Sequence, residues 1–162
     1  MKKLLLLVTV LALNLSSAQE LSTNKVDDFT GKTIKKTKYY TAGNGYGVLK
    51  TSFINIVNPE KGTSFYYLKI YPTRTDYGCA GSSKNYLTLL FDDGTKLELK
   101  NDVSEIDCAD YSASAFILSD RYVNEIKTKT VKKIRFAQSD GYADFNVYGT
   151  YTLSQQIKAL NN

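Results

Sequence analysis

Apolar and polar side chains alternate with a period of two along several short stretches of this chain. The clearest case is 86–100, where Leu87 and Leu89 alternate with polar residues before an Asp93-Gly94 turn, and leucines alternate with charged residues after it. Such alternation is typical of an antiparallel hairpin that has one face in the core and the other in water. The sequence therefore predicts a mainly β protein built from antiparallel hairpins.

The same reading extends to most of the chain. Two further hairpins are predicted where β-type runs flank turn sequences, one containing Pro59 and Gly62 and the other containing Gly141, because proline and glycine favour chain reversal. The polar residues 19–31 are predicted as an irregular lead-in. The predicted strands cover 33–40, 48–57, 64–71, 86–91, 96–100, 115–118, 131–137 and 142–147.

Two segments show the spacing of short amphipathic helices. Residues 120–129 follow Ser119, which suits an N-cap, and they place Val123 and Ile126 on one helical face. Residues 152–160 have apolar side chains at the same spacing. Since one face of a sheet must be covered by a second sheet or by helices, the pattern predicts a sandwich or a half-barrel with two short helices.

The first residues have the features of a secretory signal peptide over 1–18. Two lysines precede an apolar run over 4–13, and small residues follow at Ser16 and Ala18. Cleavage after Ala18 would leave a single β-rich domain, 19–162, of 144 residues. The apolar run is shorter than the roughly 20 residues that span a bilayer. We therefore expect a periplasmic or secreted protein with no transmembrane span in its mature chain.

The composition removes several classes of active site. The chain contains no histidine, so a Ser-His-Asp triad, a Cys-His pair and an HExxH zinc site are impossible. Without the signal peptide, 19 basic residues face 16 acidic ones, and a net charge of +3 does not support nucleic-acid binding. We expect no catalytic residue set, no metal and no cofactor, and the oligomeric state stays open.

The two cysteines, Cys79 and Cys108, are expected to form a structural disulfide, because an exported protein meets an oxidising compartment. Their separation of 29 residues corresponds to about 3.5 kcal/mol of stabilisation in the loop-entropy description. The spacing lacks the Cys-x-x-Cys pattern of a redox pair.

Acidic pairs are the candidates for a carboxylate-based enzyme acting on glycans, because glycosidases use two carboxyl groups. The pairs are Asp27/Asp28, Asp92/Asp93 and Glu105/Asp107. Aspartate is common in turns for structural reasons, and adjacent strand residues point to opposite faces. Structural or solvated roles therefore explain these pairs better than catalysis does.

Tyrosine is the most unusual component, with 13 residues. On the strand predicted over 64–71, Phe65, Tyr67, Lys69 and Tyr71 share one face, and the other face has the core-type residues. If the first set is exposed, its flat amphipathic rings could stack on sugars or contact a protein. The alternative is that both faces are buried between layers. These four residues are the candidate binding residues.

Two other features suggest binding. Lysines cluster at Lys32, Lys35, Lys36 and Lys38 and again with Arg135 over 127–135, and if the clusters met in space they could attract an anionic glycan or lipid surface. Residues 77–84 are small and Gly/Ser-rich, and such a loop could enter the cleft of another enzyme as an inhibitor does.

Three stretches together resemble small exported proteins of Bacteroidetes-type bacteria that have no assigned function. They are 26–32 (VDDFTGK), 90–95 (LFDDGT), and 133–136 (KIRF) continuing to 139–144 (SDGYAD). The resemblance implies export from a Gram-negative cell and brings no catalytic residues. The leading hypothesis is a non-enzymatic exported β domain that binds a macromolecule or a glycan, with the inhibitor and the carboxylate enzyme as alternatives.

Overall fold

The computed structural model describes residues 21–43, 48–72, 86–100, 114–138, 141–148 and 152–161. Within these ranges most residues belong to strands, and two short helices lie in the second half of the chain. The elements are β1 (Leu21–Val26), β2 (Thr33–Thr37), β3 (Tyr40–Ala42), β4 (Leu49–Asn58), β5 (Thr63–Pro72), β6 (Tyr86–Phe91), β7 (Lys96–Lys100), β8 (Ser114–Leu118), α1 (Asp120–Thr128), β9 (Val131–Gln138), β10 (Gly141–Asn146) and α2 (Leu153–Ala159).

The strands form two separate antiparallel sheets. Sheet I has the order β1-β2-β4-β5-β8, and β3 pairs with β4 beyond the end of β2. Sheet II has the order β10-β9-β6-β7. The prediction of a mainly β fold with two short helices is confirmed, and the described strands make two sheets, neither of which closes into a barrel.

The three predicted hairpins are confirmed. Strands β4 and β5 pair along their whole length, β6 pairs with β7, and β9 pairs with β10. The first two hairpins turn through Gly62 at φ 61° and Gly94 at φ 81°. These backbone angles are accessible to glycine without a steric penalty, so the local sequence is sufficient to reverse the chain at both places.

One continuous core joins the sheets and the helices. Phe116 of β8 meets Phe136 of β9 edge to face, with ring centroids 6.5 Å apart, and this contact joins sheet I to sheet II. Helix α2 packs against β2, β4 and α1. The sequence predicted that a second sheet or helices would cover the apolar face of a sheet. Sheet II and the helices together cover this face of sheet I.

Both helices begin as their sequences indicate. Ser119 caps α1 by accepting a hydrogen bond from the Tyr122 backbone, and Val123 and Ile126 are buried. Thr152 and Gln155 form a reciprocal capping box at the start of α2. The helical patterns predicted over 120–129 and 152–160 are therefore confirmed to within one residue at each end.

Two local predictions are wrong. The supposed lead-in contains strand β1, which pairs with β2 although most of its side chains are exposed. The run 33–40 is divided into β2 and β3 by a break at Lys38 and Tyr39. In both cases the strand is defined by backbone hydrogen bonds to a neighbouring strand. The periodicity of the side chains does not indicate these bonds.

Several predicted features lie outside the described residues: the signal peptide over 1–18, Cys79 and Cys108, the loop 77–84, and the acidic pair Glu105/Asp107. Within the described ranges, no helix combines the length and the apolar composition needed to cross a membrane.

Candidate binding surface

Strand β5 separates its side chains into two faces. Leu68 and Ile70 are completely buried on the inner face. Phe65, Tyr67, Lys69 and Tyr71 alternate with them and therefore point away from the core. The structure brings the four candidate residues together on one side of sheet I. Phe65 is 50% exposed, and the other three are partly exposed.

The neighbouring strands extend this surface. In the register of sheet I, Ile34, Ile56 and Phe65 form one row across three strands. Tyr67 lies between Ile54 on β4 and Ile117 on β8, and Ile117 is 49% exposed. We call this side of the sheet the outer face of sheet I; it is formed by Lys25, Ile34, Lys36, Lys50, Ile54, Ile56, Phe65, Tyr67, Lys69, Tyr71, Ala115 and Ile117. Ser52 lies on the same side of the sheet but is fully buried.

A depression of about 350 Å³ lies at one end of the outer face. Phe65, Tyr67 and Ile56 contribute its apolar walls, and Lys32 and Lys61 lie at its polar side. An aromatic and aliphatic wall combined with ammonium groups can hold the flat face of a ring and contact its polar substituents at the same time.

At the other end of the outer face, Tyr39 contacts both Tyr71 and Lys36. The two tyrosine rings meet edge to face with centroids 5.2 Å apart. The Lys36 ammonium lies 3.3 Å from the Tyr39 hydroxyl oxygen and 5.0 Å from the Tyr39 ring centroid. This arrangement holds a cation and two aromatic rings in fixed relative positions.

Hydrogen bonding and burial change the pKa values of these tyrosines in opposite directions. A hydrogen bond from Tyr71, assisted by Lys36, lowers the pKa of Tyr39. Burial, together with that hydrogen bond, raises the pKa of Tyr71 to about 12. The raised pKa keeps the Tyr71 hydroxyl protonated at neutral pH.

The outward face of sheet II has a different chemical character. A second depression of about 350 Å³ is lined by residues that include Lys96, Glu98, Lys133, Arg135 and Asp144. Arg135 makes two hydrogen bonds to Asp144, at 2.7 and 2.8 Å. These bonds lower the pKa of Asp144 and raise that of Arg135. Opposite charges are thus mixed and partly paired on this face, whereas aromatic and aliphatic groups dominate the outer face of sheet I.

One aspartate of each acidic pair within the described residues has a structural partner. Asp27 accepts hydrogen bonds from the backbone and hydroxyl of Thr30 in the β1–β2 turn, and Asp93 does the same with Thr95 in the β6–β7 turn. Hydrogen bonding lowers the pKa of both carboxyl groups. A glycosidase general acid requires a raised pKa, so the shifts of Asp27 and Asp93 are opposite to that requirement.

The strand residues of the two lysine clusters belong to different sheets. Lys36 points outward from sheet I, whereas Lys133 and Arg135 point outward from sheet II, and the two depressions have no lining residue in common. Among the residues that the structure describes, no three acidic, histidine or cysteine side chains are grouped as a metal site would need.

Sequence reasoning found the β5 residues and missed those that extend the surface. On β4, the simple alternation of apolar and polar residues is broken in the run Phe53-Ile54-Asn55-Ile56-Val57. This break in the sequence indicates apolar residues on both faces of the strand. The contribution of Tyr39 had no signal of this kind, because Tyr39 lies in the break between β2 and β3 and contacts Tyr71 of β5, which is distant in the sequence.

Comparison with known proteins gives no relative: no family model, no curated protein and no solved structure matches the chain.

Proposed function

We propose that this chain is a non-enzymatic exported module that binds a polysaccharide on the outer face of sheet I. The observation that carries the proposal is the row of Phe65, Tyr67 and Tyr71 on the outward side of β5, extended by isoleucines of the neighbouring strands. Large apolar side chains that stay exposed on a sheet face commonly mark a site of interaction.

The shape of the surface favours a polysaccharide over a protein partner. Side chains two residues apart on a strand repeat about every 7 Å, so the rings on β5 form a linear series. A sugar chain offers repeated flat C–H faces to such a series and hydroxyl groups to the tyrosine and lysine tips. The centre of a protein interface is usually depleted in lysine, yet Lys69 lies between Tyr67 and Tyr71 on this face.

Binding to immobilised polysaccharides tests the proposal. Retardation of the mature protein in gels containing single polysaccharides identifies a ligand, and calorimetry then measures its affinity. We expect Phe65→Thr and Tyr67→Thr each to weaken binding at least tenfold, since base- or ring-stacking contacts are worth about 1–3 kcal/mol in comparable systems. Threonine keeps the β propensity of both positions.

The matched control is Tyr142→Thr. Tyr142 is 54% exposed, close to the 50% of Phe65, but it belongs to sheet II. Unchanged binding by this variant, with loss in the Phe65 and Tyr67 variants, supports the assignment. Equal loss in all three variants, or retention in all three, contradicts it. Circular dichroism spectra and urea midpoints verify that each variant is folded.

Export and the disulfide belong to the same proposal. We expect protein purified from its natural envelope fraction to begin at Gln19 and to contain Cys79 and Cys108 joined to each other. Intact-mass measurement before and after reduction and alkylation tests both. An uncleaved amino terminus with two free thiols contradicts the exported assignment, and with it the inferred resemblance to exported Bacteroidetes-type proteins.

A further inference from the structure

The charge distribution of sheet I is one-sided. Its six strands contain five lysines and no aspartate or glutamate. Four of those lysines, Lys25, Lys36, Lys50 and Lys69, belong to the outer face. Sheet II, in contrast, has both Glu98 and Asp144 within its strands. The outer face of sheet I is therefore cationic as well as aromatic.

We infer that the ligand of this face is an acidic polysaccharide, a polymer whose sugar rings carry carboxylate or sulfate groups. The inference rests on the proposed function and names its substrate class. The sequence predicted an anionic ligand only if the two lysine clusters met in space. The structure supplies a cationic face in a different way, because strand pairing brings Lys50 and Lys69 together with the lysines of β1 and β2.

The positions of the lysines relative to the rings support this ligand class. On β5, Lys69 lies between Tyr67 and Tyr71, so aromatic and cationic side chains alternate at about 7 Å intervals. Lys36 is held against Tyr39 by its hydroxyl and its ring. Lys32 and Lys61 border the depression that contains Phe65. Each aromatic position thus has an ammonium group nearby, and an acidic sugar needs both.

Water screens exposed charges, and Asp27 of the β1–β2 turn interacts with Lys25. The described strands of sheet I themselves contain no acidic residue that could compete for Lys36, Lys50 or Lys69. An anionic ligand would therefore gain from several ammonium groups at once, and added salt would weaken its binding. A neutral polysaccharide could use the rings but not the charges. Comparing the binding of a charged polymer and a neutral polymer with the same backbone therefore distinguishes the two ligand types.

Polygalacturonate and its fully methyl-esterified form provide this comparison, because they share one backbone and differ in charge. We expect polygalacturonate to bind at least tenfold more tightly than the ester at low ionic strength and to lose affinity as sodium chloride is raised. The double variant Lys36→Gln with Lys69→Gln should lose about tenfold or more of the affinity for polygalacturonate, since two charge contacts are removed.

The control is the double variant Lys100→Gln with Lys132→Gln. It removes two positive charges from exposed positions of sheet II, so the control variant and the test variant have the same net charge. If net charge alone governs binding, both double variants lose the same affinity, and the inference is overturned. Loss confined to the Lys36 and Lys69 variant supports it.

The outcomes separate this inference from the proposed function. Equal binding of polygalacturonate and its ester overturns the acidic class and leaves polysaccharide binding intact. Absence of binding to every polysaccharide, charged or neutral, overturns both. Binding of phosphatidylglycerol vesicles or of a single-stranded oligonucleotide as tightly as polygalacturonate, with the same dependence on Lys36 and Lys69, assigns the face to another polyanion and overturns the inference.

Discussion

Gln156 is a fully buried polar side chain whose amide nitrogen and oxygen both form hydrogen bonds within the fold. Its amide nitrogen donates to the Lys38 carbonyl at 2.8 Å and also approaches Thr37 and Thr51, while its amide oxygen accepts from the Thr51 hydroxyl at 3.2 Å. The large majority of buried polar groups in folded proteins are satisfied in this way. Gln156 thereby joins α2 to both β2 and β4.

Replacing Gln156 with methionine keeps the volume and removes these hydrogen bonds. We expect the free energy of unfolding to fall by about 2–3 kcal/mol, because the Lys38 carbonyl and the Thr51 hydroxyl lose a buried partner. Urea denaturation should show a lower midpoint with an unchanged slope. Lys158→Met, on the exposed side of the same helix, is the control and should change stability by less than about 0.5 kcal/mol. Equal effects of the two variants would contradict this role.

The paired tyrosines of the outer face make a prediction about proton binding. Because the hydrogen bond from Tyr71 is the largest cause of the lowered Tyr39 pKa, Tyr71→Phe should raise the pKa of Tyr39. Tyr39→Phe should lower the pKa of Tyr71 only in part from its value of about 12, because burial is the larger cause there. NMR titration of ring carbons measures both. A Tyr39 pKa that is unmoved by Tyr71→Phe would show that the two hydroxyls do not interact.

At the scale of elements, the β6–β7 hairpin depends on the Asp93 carboxylate. Asp93 accepts hydrogen bonds from Thr95 and forms an ion pair with Lys129 at 2.9 Å, and its pKa is lowered from 3.8 to about 2. Because the pKa of Asp93 is lower in the folded protein than in the unfolded chain, the ionised carboxylate stabilises the fold at pH values above the unfolded-state pKa. This stabilisation is lost as the pH falls through the folded-state pKa.

We expect Asp93→Ala to lower the thermal unfolding midpoint at pH 7. The difference from the parent protein should shrink as the pH falls from about 4 towards about 2, since the parent carboxylate is then protonated. Asp92→Ala, at the adjacent exposed position without these hydrogen bonds, serves as the control. A difference that stays constant over the same pH range would show that the charge of Asp93 does not contribute.

The elements that could be predicted are those with local signals. The β6–β7 hairpin combines alternation with an Asp-Gly turn, and α1 combines an N-cap with an apolar face, so each is encoded within about 15 residues. Strand β1 has no fully buried side chain, and it is fixed by pairing with β2. Its position at the edge of sheet I explains why the polar sequence gave no sign of it.

At the scale of the molecule, the assignment of strands to sheets could not be predicted. Strand β5 pairs with β8, so Tyr67 lies opposite Ile117, 50 residues further along the chain. No local pattern specifies such a partner, because the pairing depends on contacts made only when both sheets and α2 come together. The β5 row of the candidate surface was therefore predictable, whereas the strand pairing that extends it over β2, β4 and β8 was not.

The chain order gives the expected disulfide a particular place in this topology. Cys79 belongs to the connection from β5 to β6, and Cys108 belongs to the connection from β7 to β8. The first connection leaves sheet I for sheet II, and the second returns, while β5 and β8 are direct neighbours. A bond between the two cysteines would enclose the β6–β7 hairpin and restrict the unfolded chain without changing either sheet.

Replacing both cysteines with serine should therefore lower the free energy of unfolding by about 3.5 kcal/mol, the loop-entropy value for their 29-residue separation. The native spectrum should be retained below the transition, since every described strand pairing lies outside the two connections. Urea denaturation of the oxidised protein, the reduced protein and the serine variant measures the effect. The reduced protein and the serine variant should agree, because neither contains the bond; identical stability of all three would mean that the cysteines are not joined.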